Sequence, residues 1–332
     1  MEKRVSLKDI AKKVGVSVAL VSYVLNGKDK QMRIGAEVVR KINQTAADMN
    51  YEPNQIARSL RMGSTKTIGL VVADISNPFF GQLARIVEDE ALKMGYTVIF
   101  GSSDEDEGKS GKVLNTFLNR QVDGYIIVPS EGTVKQVSSL LRRKLPVVLF
   151  DRYFPEINCS HIILNNFQAT FDATSWLLSK GLKKIALVAY KTSLIHMTER
   201  IRGFSEAMEN KGIDFTKYLV EVKFEQSRKE MEIALNDYFK RNKNTEAIIF
   251  ANNGLSLEGL YYLQKHSMGI PGDIAFIGFD GGEVFDLYST PLSYVKQPLE
   301  EMGKEAVNVL MESMKGSNKI IRIMHDSELI IR

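Results

Sequence analysis

Several of the residues best suited to recognition chemistry in this chain stand just past apolar runs of strand type. Asp74, Asn77, Phe79 and Phe80 follow IGLVVA, Asp151 and Arg152 follow LPVVLF, Asn253 follows AIIFAN, and Asp280 follows AFIGF. Arg200 lies three residues before Gly203-Phe204, and Gln297 sits in a late segment that crosses between two such series. Carboxylates, amides and guanidiniums grouped with two phenyl rings suit a sugar-like ligand. Carboxylate and guanidinium forks match vicinal hydroxyls, and ring faces cover the C–H side of a sugar. Taken singly, each polar group is more simply the cap of a strand-to-helix turn. Arg200, Asn253 and Asp280 taken together favour a ligand site in an apolar cleft.

Covalent chemistry finds less support. The chain lacks a GxxxxGK[ST] phosphate loop, a GxSxG elbow and an HExxH motif. VVADISNPFF offers no nucleophile–base pair. Cys159 is the single cysteine and His161, His196, His266 and His325 are scattered, so no metal site of usual spacing is expected and no cofactor is implied. An inert Cys159 and a reducing, cytoplasmic setting follow from the lone thiol. The first residues, MEKRVSLKDIAKKVGV, carry charges every few positions and no apolar export segment. No run of 18 uninterrupted apolar residues suggests a membrane span. A non-enzymatic protein is the expectation.

The elements that must position these residues are α/β. From Thr67 onward, short apolar strands (IGLVVAD, YTVIFGSS, DGYIIVPS, LPVVLFD) alternate with amphipathic helices such as FGQLARIVEDEALKMG. After a crossing near Asn158–Asn165 a second series begins, with KKIALVAY, AIIFANN and DIAFIGFD as its strands. Continuous apolar strands separated by helices imply parallel sheets covered on both faces. Two series imply two doubly wound lobes, whose ligands lie beyond the carboxyl ends of the strands.

The first fifty residues differ. SLKDIAKKVG has Ser6 as helix N-cap with Asp9 three residues on, Leu7, Ile10, Ala11 and Val14 on one face, and Gly15 as terminator. Ser17 caps VALVSYVL, which Asn26-Gly27 ends, and Ala36–Met49 reads as a third helix with Val38, Ile42, Ala46 and Met49 in phase. Two short helices joined by a Gly-containing turn make a helix-turn-helix, whose second helix enters the DNA major groove. Charge agrees: residues 1–66 hold 13 Lys or Arg against 6 Asp or Glu, a net of +7 in a chain of net +4, which leaves −3 for the rest. A basic module on an acidic body suggests a polyanion partner for the module. A three-helix bundle for protein contacts is the competing reading. Between head and core, YEPNQIARSLR is too short for a stable isolated helix. It is either a solvated linker or a segment that becomes helical when held.

SLKDIAKKVGVSVALVSYVLNG and NYEPNQIARSLR, followed in order by TIGLVVADISNPFF, VDGYII, RIRGF, AIIFANNGLSLEGL, IPGDIAFIGFDG and VKQP, resemble the lactose-repressor (LacI/GalR) family of bacterial transcription regulators over nearly the whole chain. That resemblance implies a small all-α helix-turn-helix head on an α/β core of two doubly wound, periplasmic-binding-protein-like lobes. It implies a DNA-facing set of Ser6, Ser17, Val18, Ala19, Ser22, Tyr23, Asn26, Asn54, Ala57, Arg58, Leu60 and Arg61. The linker would be a hinge helix that starts at Pro53, with Leu60 wedged into the minor groove and Arg58 and Arg61 toward phosphate. Tyr23 stands where the family usually has arginine and Leu20 where threonine is common, so the operator need not look like a relative's. Val18 and Ala19 suit thymine methyls, and Ser17, Ser22, Tyr23 and Asn26 suit phosphates.

NPFF, FDR, RIRGF, AN and GFDG also resemble ligand-contacting stretches of periplasmic pentose-binding proteins. That pattern assigns sugar-site roles to Asn77, Phe79, Phe80, Asp151, Arg152, Arg200, Asn253, Asp280 and Gln297. Asn253-Gly254, Asn165-Asn166 and Asp280-Gly281 stand where the family often carries a further carboxylate. This loss points toward an acidic or phosphorylated sugar.

The expected organisation is 1–50 head, 51–64 hinge and 65–332 effector core. The core's first lobe would hold about 65–161 and 293–322, and its second 162–292 and 323–332. The reading is a cytoplasmic homodimeric regulator, most simply a repressor, without a tetramer-forming helix. It would bind a pseudo-palindromic double-stranded operator and hold a sugar or sugar derivative between the core lobes. A sugar-binding protein without a DNA role, or a regulator that senses a nucleobase or a protein partner, is the alternative.

Overall fold

The computed structural model describes residues 5–52, 63–224 and 227–332, and the chain divides after Thr65 into two compact units. In the first unit α1 (Leu7–Val14), α2 (Val18–Leu25) and α3 (Ala36–Asp48) close around Ile10, Ala11, Val14, Val21, Val24, Ile42 and Ala46. Helices this short have little intrinsic stability, so caps and the shared core must hold them. Ser6 and Asp9 form the expected reciprocal capping box, and Gly15 ends α1 in the left-handed region at φ 80°. Ser17 Oγ accepts from Leu20 N at 3.2 Å to start α2. Each side-chain cap stabilises its helix by about 1 kcal/mol.

The second unit contains two six-stranded sheets. Strands β1 (Thr67–Val72), β2 (Thr97–Ser102), β3 (Gly124–Ile127), β4 (Val147–Phe150), β5 (Ser160–Leu164) and β11 (Arg322–His325) make the first, in order β11-β5-β4-β3-β1-β2, all parallel. β6 (Ile185–Tyr190), β7 (Leu219–Val222), β8 (Ala247–Phe250), β9 (Ala275–Phe279), β10 (Ser293–Lys296) and β12 (Glu328–Ile330) make the second, in order β12-β10-β9-β8-β6-β7. Among the described residues only β12 runs antiparallel, against β10. Central strands such as β3, β4 and β8 are buried along their whole length, as parallel strands covered on both faces must be.

The helices follow the same alternation: α4 (Pro78–Lys93), α5 (Glu107–Asn119) and α6 (Val134–Arg142) in the first lobe, then α7 (Asn166–Ser179), α8 (Ile195–Glu209), α9 (Ser227–Arg241), α10 (Asn253–Lys265) and the short α11 (Glu283–Leu287) in the second. α12 (Leu299–Met314) returns to the first lobe and packs on α4, β3, β4 and β5.

The chain passes between lobes three times, each time a few residues later than the sequence suggests. Residues 158–165, expected as a crossing, contain β5, because HIIL pairs between β4 and β11. Ser293–Lys296, expected with the first lobe, pairs with β9 in the second sheet. Arg322–His325, expected to straddle a boundary at 322/323, lies wholly in the first sheet. In each case an apolar run completes its ladder before the chain leaves.

One close approach sets the site's geometry. A Cβ built on Gly203 in α8 would stand 2.1 Å from the Phe167 backbone oxygen in α7. Glycine therefore lets the two helices touch backbone to side, and Arg200 lies one turn earlier on the same helix.

Candidate functional site

In the first unit, Ser17, Val18, Ala19, Tyr23 and Asn26 are exposed and Ser22 is half-buried, a single stripe along α2. Val21 and Val24 point inward. Ser17 Oγ spends a lone pair as cap and keeps its O–H as a donor. Ser6 differs: its O–H donates to Asp9 Oδ2 at 2.6 Å, so that proton is committed within α1. Asn26 Nδ2 donates to Ser22 O at 2.6 Å and to Ser22 Oγ at 3.3 Å, which closes the C-terminus of α2. Leu20 is half-buried against the head's core. Asn54, Ala57, Arg58, Leu60 and Arg61 lie outside the described residues.

In the second unit the polar residues past the strand ends sort into caps and non-caps. Asn77 is a cap: its Oδ1 accepts from Phe79 N at 3.1 Å at the start of α4. Asn253 is not, because Asn252 caps α10 by accepting from Leu255 N at 2.8 Å. Asp151 and Asp280 cap nothing either. Both occupy the left-handed region, at φ 65° and 54°, a conformation that surrounding structure must hold in place. Phe79 and Phe80 meet edge to face at 5.1 Å and belong to the first lobe's buried core. Phe79 also lines a concavity together with Asn253, Asp280 and Gln297.

Around Arg152, the guanidinium forms a two-point ion pair with Glu105, with Nη1–Oε2 at 2.8 Å and Nη2–Oε1 at 2.7 Å. Its Nε donates to Asp151 Oδ2 at 3.3 Å. Burial holds the Asp151 carboxyl above its ordinary value despite the opposing pull of Arg152 and Arg200. From the second lobe, Arg200 is 2% exposed and donates from Nε to Asn166 Oδ1 at 2.7 Å and from Nη1 to the Ala251 carbonyl. Its guanidinium lies 4.1 Å over the Phe279 ring. No carboxylate of the described residues forms an ion pair with it.

Asp280 Oδ1 accepts from Gln297 Nε2 at 2.8 Å, and Asn253 Nδ2 donates to the Asp280 carbonyl at 2.6 Å. Those donations fix the two amides so that Asn253 Oδ1 and Gln297 Oε1 are buried acceptors without a partner. Burial pushes Asp280 up to about 7, with Arg200 and the Gln297 bond opposing. Such groups are costly to bury and call for hydrogen-bond donors.

Residues not assigned site roles from the sequence act on this set. Asn166 orients Arg200, and Glu105 neutralises Arg152. Tyr190 at the end of β6 has its phenol raised by burial and by the Asp74, Glu105 and Glu258 carboxylates. His196, on the first turn of α8, is 5% exposed with Nδ1 unpartnered; burial first, then Arg152 and Arg200, holds it well below its ordinary value. Glu131, after β3, spans to the other lobe and accepts from Thr192 Oγ1 at 3.0 Å, from Ser193 N at 3.2 Å and from Ser193 Oγ. Leu194 follows and is buried in a first-lobe cluster with Phe154 and Cys159. The signal for Arg200's partner was the Asn165-Asn166 pair itself; nothing in residue order marked Glu105 or Glu131. Cys159 is buried, and burial pushes its thiol up to about 12.

Comparison with known proteins matches a segment in each of the two units. Residues 6–54 match the family of bacterial regulatory proteins, lacI family, and residues 174–332 match a periplasmic binding protein-like domain. The HTH-type transcriptional repressor PurR of Photobacterium profundum is 31% identical over 98% of this chain and 97% of its own. The ribose operon repressor of Haemophilus influenzae is 29% identical over 96% of this chain and 95% of its own. The lac repressor dimer bound to operator and an anti-inducer superposes with a TM-score of 0.84 at 21% identity, covering 99% of this chain and 98% of that one.

Proposed function

This chain belongs to the lacI family of bacterial regulatory proteins, and on that premise we propose how it regulates transcription. It acts in the cytoplasm as a homodimer without catalytic activity. The exposed stripe of α2 enters the major groove of each half of a pseudo-palindromic operator. A sugar or sugar derivative binds between the two core lobes and changes DNA affinity, most simply as a control on repression. The lac repressor was solved as a dimer on operator, and the Haemophilus relative is a ribose operon repressor; both support this arrangement.

The observation that carries the reading is the cleft itself. Asp151 and Arg152 from one lobe, with Arg200, Asn253 and Gln297 reached through the other, are buried and, with the half-buried Asp280, form a polar set that no cap requirement explains. Two amide oxygens there lack any donor, and sugar hydroxyls supply donors. Because the residues come from both lobes, a ligand bound among them favours one lobe arrangement over another. Differential affinity of that kind is what shifts an equilibrium.

Selection of bound duplexes from a random double-stranded pool tests the DNA half directly. The expected result is enrichment of a motif with two inverted half-sites. Recovery of an unenriched pool removes the regulator reading and leaves the sugar-binding alternative.

A further inference from the structure

The polar residues divide by chemistry. One group presents acceptors: Asn253 Oδ1, Gln297 Oε1 and the Asp280 carboxyl. A second group, His196 and Arg200, presents donors and positive charge. His196 and Arg200 are one turn apart on α8 and so share a face. Arg200 bonds only neutral oxygens, those of Asn166 and Ala251, although a buried guanidinium is strongly stabilised by an anion. Arg152, by contrast, is matched by Glu105. α8 starts at Ile195 with Leu194 as an N-cap that offers no side-chain hydrogen bond, and the Glu131 carboxylate is engaged just before it by Ser193 and Thr192. His196 Nδ1 is buried without a partner beside that start.

We propose that this second group forms an oxyanion subsite, so that the effector is a polyhydroxy compound carrying a carboxylate or phosphate. The oxyanion lies against His196, Arg200 and the first turn of α8, and the hydroxyls donate to Asn253, Asp280 and Gln297. The inference rests on the cleft reading above and narrows it. Charge-assisted bonds from guanidinium to carboxylate or phosphate are roughly twice as strong as neutral ones. The groups acting on His196 are Arg152 and Arg200; Glu105 and Asp151 act on Arg152, and Asp151 and Asp280 on Arg200. An oxyanion brought between His196 and Arg200 offsets the guanidinium field, and the imidazole, held neutral by burial first, presents an N–H to it.

The test is calorimetric titration of the full chain with matched compounds: glucose, gluconate, glucose 6-phosphate, ribose, ribose 5-phosphate and inorganic phosphate. A charged member of the panel should bind at least tenfold more tightly than its neutral parent, with Asp280→Asn weakening it. His196→Gln and His196→Leu should each remove that preference while the unliganded melting midpoint stays within a few degrees, and either variant suffices should the other fail to fold. Equal affinity for neutral and charged partners, with Asp280→Asn still abolishing binding, overturns the oxyanion subsite and leaves the cleft reading intact. A charge preference indifferent to both His196 variants also overturns it. Binding by no compound, or binding indifferent to Asp280→Asn, overturns both. The two sources of oxyanion are told apart by whether gluconate or the phosphates carry the preference.

Discussion

Asp280→Asn should make the core more stable at alkaline pH while weakening it as a binding site. Burial raises the Asp280 carboxyl from 3.8 to about 7, so the folded state binds its proton more tightly than the unfolded state does. The sign follows from linkage: the ionised carboxyl is disfavoured in the fold, so stability falls as pH rises from about 4 to about 7 and stays lowered above that. Carrying a carboxyl that far costs about 4 kcal/mol at most. The side chain is partly open to the cleft, so solvent reduces this to about 2 kcal/mol. Asparagine keeps an oxygen for the Gln297 donor and removes the charge. Thermal unfolding at pH 8 should therefore show the variant's core midpoint raised by about 5 °C. At pH 4.5 the gain should shrink to a small fraction of that, because the wild-type carboxyl costs little there. An equal gain at both pH values, or a loss at pH 8, refutes the assignment of Asp280 as a carboxyl raised by desolvation.

Gly203→Ala should destabilise the core by about 3 kcal/mol, since its Cβ meets the Phe167 backbone rather than a side chain that could turn away; chemical unfolding measures it. Glu131→Gln should loosen the contact between the lobes, seen as a larger radius of gyration in solution scattering. Hydrogen bonds from Ser193 and Thr192 hold that carboxyl below its ordinary 4.5, so acid should have the same effect on the wild type as pH falls below about 4.5. Ser17→Ala removes the α2 cap and should cost the head about 1 kcal/mol, read as a lower melting point of the helical signal. Affinity for the selected duplex should fall roughly a thousandfold between 50 and 200 mM salt for a dimer with about six phosphate contacts.

Much of the architecture is legible in residue order because its signals are local. Ser6 with Asp9, Ser17 and Gly15 mark helix ends wherever they occur, and IGLVV or AIIF cannot be other than deeply buried. The crossings between lobes were harder to read. Strands such as HIIL and RIMH are recognised by their partners in the sheet, and those partners are about 160 residues apart in the β5–β11 pair. Of the residues brought forward from the sequence, Asp151, Arg152, Arg200, Asn253 and Gln297 are buried and Asp280 is half-buried, with bonds joining Asp151 to Arg152 and Asp280 to Gln297 and Asn253. Asn77 instead serves α4 as its cap, and Phe80 is core. Glu105, Glu131 and His196 escaped notice because their importance comes from what the two lobes bring opposite them: an arginine, a pair of hydroxyls and two guanidiniums.

Coupling between cleft and DNA is the central claim, and fluorescence anisotropy on the selected duplex measures it most directly. The titration is made with and without a saturating amount of whichever sugar, sugar acid or sugar phosphate stabilises the core most. A change in duplex affinity of at least fivefold is expected, with the duplex changing the compound's affinity by the same factor. Identical duplex affinity at saturation would show that the cleft and the head do not communicate, and the account of this chain as a ligand-controlled regulator would fail.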